Sequence, residues 1–389
     1  MMTLKLLVAS NEKHLYTKVA EASTLAVSRE ETAAVNAQIN KEGDPMRSLK
    51  VYLLAATIAL TAMPSASALA ANGDTLKQVK ERGLVLCGVH PARHGFAAPD
   101  SKGVWEGFEV DFCKAVAAAA LGDAEKVRYV PLSSQQRFPA IQSGEVDVLA
   151  RNVTANLSRD TALGLNFAPP IFYTGTGFLV RADSGVKEVK DLDGAVICMA
   201  PGSTTERNIA QIFAARGLKY TPVVIENNKQ LVDAYVTGRC DALTKDKAAL
   251  PGVRAVDTPN PADHVLLDGI YSKEPLAMAV RQGDDGWYDI VKWVVYATFN
   301  AEEMKVSQAN VDEMLKSDDP DIQTLVGVIG DNGSKLGLDQ KWSYNIIKQV
   351  GNYADIYNRH FGPSTPIALD RDLNRLWNDG GILYGEPMN

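Results

Sequence analysis

Ser143-Gly144-Glu145-Val146-Asp147-Val148-Leu149 and Thr237-Gly238-Arg239-Cys240-Asp241-Ala242-Leu243 are two versions of one junction. In each, a glycine closes a helix-like stretch and a short apolar run follows within a few residues. Glycine takes up the left-handed conformation that ends a helix without a Cβ penalty. Outward from the first junction, residues 84–89, 127–132 and 146–149 read as strands, and 109–121 and 133–143 as helices. Outward from the second, 195–200, 221–225 and 241–243 read as strands, and 204–216 and 229–237 as helices. Strands alternating with helices build parallel sheets covered on both faces. Two such units in succession predict an α/β chain of two lobes, each a mostly parallel sheet flanked by helices.

Two segments are suited to join the lobes. Phe167-Ala168-Pro169-Pro170-Ile171-Phe172-Tyr173-Thr174-Gly175-Thr176-Gly177 carries adjacent prolines and two nearby glycines, which break a helix and favour an extended crossover. A second crossover is expected at 269–275, followed by a strand at 276–281 and an amphipathic helix at 288–301. The remainder is largely helical, with turns at Gly330, Gly333 and Gly362, and is expected to return to the first lobe. The division expected is 71–178 for the first part of lobe one, 179–276 for lobe two, and 277–389 for the return and a C-terminal helical extension.

The amino-terminal region reads differently. Residues 1–45 show neither helical nor strand periodicity and are expected to be an over-extended start with no fold of their own. Met46-Arg47-Ser48-Leu49-Lys50 is then followed by an apolar run to Met63 and by Ala68-Leu69-Ala70. A positive start, an apolar centre and an A-x-A site are the three parts of a secretory signal peptide, here about Met46 to Ala70. The apolar run is short of the roughly 20 residues a spanning helix needs. The chain is 389 residues long, 46% hydrophobic and carries a formal net charge of −7. With no basic stripe to displace phosphate counterions, a nucleic-acid partner is excluded.

Cys87, Cys113, Cys198 and Cys240 lack any C-x-x-C pair, so a zinc site is disfavoured and disulfides suit an exported chain. Four cysteines allow three pairings. The lobe organisation favours Cys87 with Cys113 and Cys198 with Cys240, buried free thiols being the alternative. Nucleotide-loop, zincin and nucleophile-elbow motifs are absent. His90 and His94 have helical metal spacing, but Pro91 and Gly95 make that stretch a loop, so no metal is expected and solvated histidines are.

The loops after strands hold the candidate chemistry, because open α/β sheets bind ligands beyond the carboxyl ends of their strands. Gly202-Ser203-Thr204-Thr205-Glu206 opens a helix, with Ser203 and Glu206 at capping-box spacing, and a helix terminus receives a carboxylate. After the third strand of unit one comes Arg151-Asn152-Val153-Thr154-Ala155-Asn156-Leu157-Ser158-Arg159; at the matching place in unit two comes Thr244-Lys245-Asp246-Lys247. Facing lobes would thus offer a cation and an anion from equivalent loops. An α-amino acid needs both, a guanidinium for its carboxylate and a carboxylate for its ammonium. Arg159 and Asp246 are the residues selected; Lys245 and Lys247 are expected at the surface.

Residues 75–299 resemble the family 3 solute-binding proteins, the periplasmic amino-acid-binding components of ABC importers. The matching segments are Gly103-Val104-Trp105-Glu106-Gly107-Phe108-Glu109-Val110-Asp111, Ala140-Ile141-Gln142-Ser143-Gly144-Glu145-Val146-Asp147, Val189-Lys190-Asp191-Leu192-Asp193-Gly194 and Gly202-Ser203-Thr204-Thr205. Leu376-Trp377-Asn378-Asp379-Gly380-Gly381 further resembles the general L-amino-acid-binding branch. The resemblance implies a two-lobed periplasmic binding fold of type II and a small ligand captured by hinge closure. It implies a membrane permease as partner, no cofactor, and a monomer without catalytic residues. By the same resemblance, Arg159 clamps the ligand carboxylate with Asn152 and Thr154, Ser203 and Thr204 meet it from lobe two, and Asp246 takes the ammonium. Arg93 and Arg137 would shape the side-chain pocket. That pocket departs from the branch at His90-Pro91-Ala92-Arg93-His94 and at Val153-Thr154-Ala155-Asn156, where an aromatic is lost; the cations Arg93, Arg137 and Arg151 favour an acidic ligand. The alternatives are an enzyme on the same scaffold, of cyclohexadienyl dehydratase type with His90, His94 or Glu206 as acid or base, and a sensor that presents ligand to a receptor.

Overall fold

The protein is described by a computed structural model over residues 74–388; the start segment 1–45 and the signal segment 46–70 lie outside the described residues. Ten strands build two five-stranded sheets: β1 (Val85–Val89), β2 (Val127–Pro131), β3 (Val148–Thr154), β4 (Leu165–Thr174), β5 (Thr176–Arg181), β6 (Ala195–Met199), β7 (Tyr220–Val224), β8 (Ala242–Asp246), β9 (His264–Leu266) and β10 (Glu274–Arg281). The first sheet has the order β2-β1-β3-β10-β4 and the second β9-β5-β8-β6-β7. In each, three parallel strands are extended by antiparallel ones: β10 against β3 and β4, and β5 against β8 and β9. This is the two-lobed α/β fold that the repeated junction predicts.

The chain leaves the first sheet between Thr174 and Thr176 and returns between Leu266 and Glu274. The crossing segments touch at Gly175, where a Cβ would stand 2.3 Å from the carbonyl oxygen of Ser272, so no larger residue fits without parting them. The helix Phe108–Leu121 is apolar on nearly every side and is accordingly buried, packed beneath the first sheet. The C-terminal helices Trp342–Gln349 and Tyr353–Phe361 join that same core. Phe96, Phe108, Phe172, Tyr353, Tyr357 and Phe361 form one aromatic cluster in it, with centroid separations such as 4.9 Å for Phe96 and Phe361. Disulfides join Cys87 to Cys113 and Cys198 to Cys240.

Three elements differ from the sequence reading. The strands expected at 146–149 and 241–243 continue to Thr154 and Asp246, so the polar stretches read as loops are the carboxyl ends of central strands. Ladder pairing explains this: Thr154 pairs with Leu276, and Asp246 with Thr176. Lys245, expected at the surface, is therefore buried, with Nζ donating to Asn228 Oδ1. The helix expected from Ser133 begins at Arg137. Ser133 and Gln136 do bond reciprocally, N–H to side chain at 3.0 and 3.2 Å, but this closes a separate turn ahead of the helix.

Candidate functional site

A cavity lies between the carboxyl ends of both sets of parallel strands. β1 leads into His90, Pro91 and Arg93, β2 into Ser133 and Ser134, and β3 supplies Arg151 and Asn152. From the other sheet, β6 leads into Ala200, Ser203, Thr204 and Thr205, β7 into Glu226 and Asn228, and β8 supplies Thr244, Lys245 and Asp246; Arg137 completes the wall. The cleft is shut by contacts across it. Arg93 Nη1 lies 2.6 Å from Asp246 Oδ2, and Arg137 Nη2 donates to the Gly202 carbonyl at 3.4 Å. Asn228 Nδ2 donates to Ala92 O at 2.8 Å, Thr154 and Thr204 hydroxyls meet at 3.2 Å, and Ser133 Oγ donates to Glu226.

A backbone irregularity aims two of these residues. Between Leu149 and Val153, β3 spends more residues than its partner β10 spends between Ala279 and Ala277, and Asn152 has φ of 47°. A bulge of this kind re-aims side chains at the cost of about 1–3 kcal/mol for a left-handed non-glycine residue. Both side-chain atoms of Asn152 are buried without a hydrogen-bond partner among the described residues. The same holds for Arg93 Nε, Arg137 Nε and Glu109 Oε2. Native interiors rarely leave such groups unpaired, so their concentration around one cavity marks a place built to receive polar atoms.

Charge in the cavity is lopsided. Burial first, then Arg93 among its neighbours, lowers Arg151 to about 9, and its Nε is spent on Leu132 O at 2.8 Å. Burial, then Arg151 and Arg159, disfavours the charge on Arg137. His90, expected in solvent, is buried; burial and then Arg151 hold its ring neutral, with Nδ1 accepting the Ala92 N–H at 3.1 Å. Burial lowers Lys245 to about 7 and raises Glu109, which accepts the Asn152 N–H, to about 7. At pH 8 the larger fractions are neutral lysine and ionised glutamate. An entering anion favours the protonated form of both, so its binding takes up protons. Titration calorimetry at pH 8 in buffers of different ionisation enthalpy should show this as a buffer-dependent heat; a buffer-independent heat would refute it.

Of the residues read from sequence, the cavity wall contains Asp246, Asn152, Ser203, Thr204, Arg93 and Arg137. Ser203 spends its hydroxyl as a helix cap, accepting Glu206 N–H at 3.1 Å and donating to Ala200 O at 2.8 Å. Thr154 and Arg159 stand behind the wall. Arg159 Nη1 donates to Thr154 O at 3.0 Å, and its guanidinium lies 5.1 Å from the Phe138 ring centroid. Burial lowers Arg159 to about 10, opposed first by the carboxylate of Glu274. Glu274 itself accepts from Thr154, Thr204, Asn208 and Ser272. Lys245, Glu109 and Glu274 are not singled out by the sequence as site residues, their only signal being polar residues at the ends of apolar runs, whereas Arg151 enters there as a cation favouring an acidic ligand and His90 as an acid or base of the alternative enzyme.

Known proteins agree with the two-lobed fold. The family model for bacterial extracellular solute-binding proteins, family 3, matches residues 85–363. The general L-amino acid-binding periplasmic protein AapJ of Rhizobium johnstonii is 50% identical over 342 residues, 87% of this chain and 100% of the relative. The glutamate/glutamine/aspartate/asparagine-binding protein BztA of Rhodobacter capsulatus is 47% identical over 320 residues, 82% of this chain and 94% of the relative. Among solved structures, a periplasmic binding protein of an ABC transporter from Brucella ovis, with glutathione bound, superposes with a TM-score of 0.80. It is 49% identical, covering 82% of this chain and 100% of its own. The chain belongs to the bacterial extracellular solute-binding proteins of family 3.

Proposed function

We propose that the chain captures an amino acid or related small carboxylate bearing an additional acid group, and hands it to the permease of an ABC importer. The observation that carries this is the cavity's charge: Arg93, Arg137, Arg151 and Lys245 line it, against Asp246 and Glu226. Buried cations without enough counter-charge favour a ligand that supplies it. Asp246 receives the ammonium, and Asn152 and the helix terminus at Ser203 and Thr204 receive a carboxylate, with Thr154 and Arg159 reinforcing from behind. Arg93 and Arg137 face the rest of the ligand. The lobes divide at the two crossovers, near Gly175 and at 267–273, a few residues ahead of the expected boundaries 178/179 and 276/277; the segment 46–70 directs the chain to the periplasm, where it acts as a monomer without a cofactor. The names of AapJ and BztA, both binding proteins, fit capture rather than catalysis.

The test is a thermal-shift and calorimetric screen with glutamate, aspartate, their amides, neutral amino acids and glutathione, the last because a relative binds it. A ligand present at about 100 times its dissociation constant adds about 2.7 kcal/mol of stability. An acidic member of the set should shift unfolding most. If no member shifts it, the proposal fails.

A further inference from the structure

Asp246 is already engaged in the closed cleft. Its partner Arg93 comes from the loop after β1, so the pair joins one lobe to the other, and both side chains are largely buried, 13% and 9% exposed. Backbone bonds fix the arginine's base: Arg93 N donates to Ala97 O at 2.7 Å, and Asn228 holds the preceding carbonyl. Its Nε faces no acceptor among the described residues. A guanidinium thus stands on the carboxylate that a ligand ammonium would seek.

We propose that Arg93 sets the charge selectivity of the site. This rests on the reading of the cavity as the ligand site. An incoming ammonium must share Asp246 with the Arg93 guanidinium, and two cations on one buried carboxylate leave an excess positive charge that is poorly screened where bulk water is excluded and Arg137 and Arg151 already add positive charge. A zwitterion with a neutral side chain brings only its α-carboxylate, which balances its own ammonium and is held at Asn152 and the helix terminus, so the Arg93 charge stays unmatched. A ligand with a second carboxylate does, and Arg93 Nε and the Arg151 guanidinium are the donors that can receive it. Arg93 therefore selects for dicarboxylic ligands by taxing the neutral ones, which is specificity by an unpaired charge.

Glutamate and glutamine differ in little but charge and are the probes. Titration calorimetry on the wild type should show glutamate bound more tightly than glutamine. In Arg93→Gln the ratio of the two dissociation constants should fall by about tenfold or more. Arg93→Lys, which keeps the charge, should hold the ratio within a few-fold. Arg93→Met serves as a second neutral variant should the glutamine variant not fold. An unchanged ratio in the neutral variants, or a wild type that binds glutamine as tightly as glutamate, overturns the assignment while leaving the cavity's function intact. If the wild type binds neither amino acid nor any other member of the screen, the function reading fails, and this assignment falls with it.

Discussion

Asp246→Ala should weaken ligand binding by about 3–5 kcal/mol, a factor of roughly a hundred to several thousand. The carboxylate sits at the end of β8, where ladder pairing with Thr176 fixes the backbone and burial removes water as an alternative partner. Without it, Arg93 loses its only ion-pair partner among the described residues, and Arg151 and Lys245 lose a neighbouring negative charge. A ligand ammonium then enters a cavity lined by cations. Titration calorimetry against the tightest ligand measures the effect, and a loss smaller than tenfold would remove Asp246 from the site. Combining the substitution with Arg93→Gln should cost less than the sum of the two, because residues that share one ion pair are coupled.

Glu274→Ala should lower the stability of the ligand-free protein by about 3–5 kcal/mol, because it removes a buried carboxylate that gathers four hydrogen-bond donors. Glu274 opens β10, just after the second crossover, and is 2% exposed. Its carboxylate gathers Thr154 from the first sheet, Thr204 and Asn208 from the helix Thr204–Ala214, and Ser272 from the crossover. Truncation takes the shared acceptor from four donors, of which Asn208 and Ser272 keep Thr176 Oγ1 as a partner, and leaves the buried Arg159 with Asp246 as its remaining, weaker carboxylate neighbour. Hydrogen bonds to a charged acceptor contribute about 1.5–3 kcal/mol each, though not additively. Urea unfolding measures the loss, with Glu274→Gln expected between wild type and alanine. A change below about 1 kcal/mol would show that these donors find other partners.

The fold is legible in the sequence because its punctuation is local. Gly122 and Gly144 end their helices in the left-handed conformation, and short apolar runs mark the centres of buried strands. The site is only half legible. Placement after the strands points to Asp246, Asn152 and Thr204, since the repeat brings equivalent ends together. Lys245, Glu109 and Glu274 are missed for one physical reason: charged residues are almost always exposed, and only tertiary pairing reveals the exceptions. Glu109 reads as the polar edge of a helix start, yet that helix is enclosed on nearly every side. Thr154 and Glu274 are 120 residues apart and meet only because β10 returns beside β3. Arg159, chosen for its place in the repeat, lies one layer behind the wall because β3 runs on to Thr154 and lifts the following turn away from the cavity.

The two disulfides have a mechanical consequence. Cys87–Cys113 ties a strand to a helix inside one lobe, and Cys198–Cys240 does the same for neighbouring segments inside the other. Neither bridges the pair of segments that pass each other at Gly175. The disulfides therefore stiffen two jaws separately and add no drag to the strap between them. The covalent framework that resists unfolding is kept apart from the joint that must bend, so durability and opening are set by different parts of the chain.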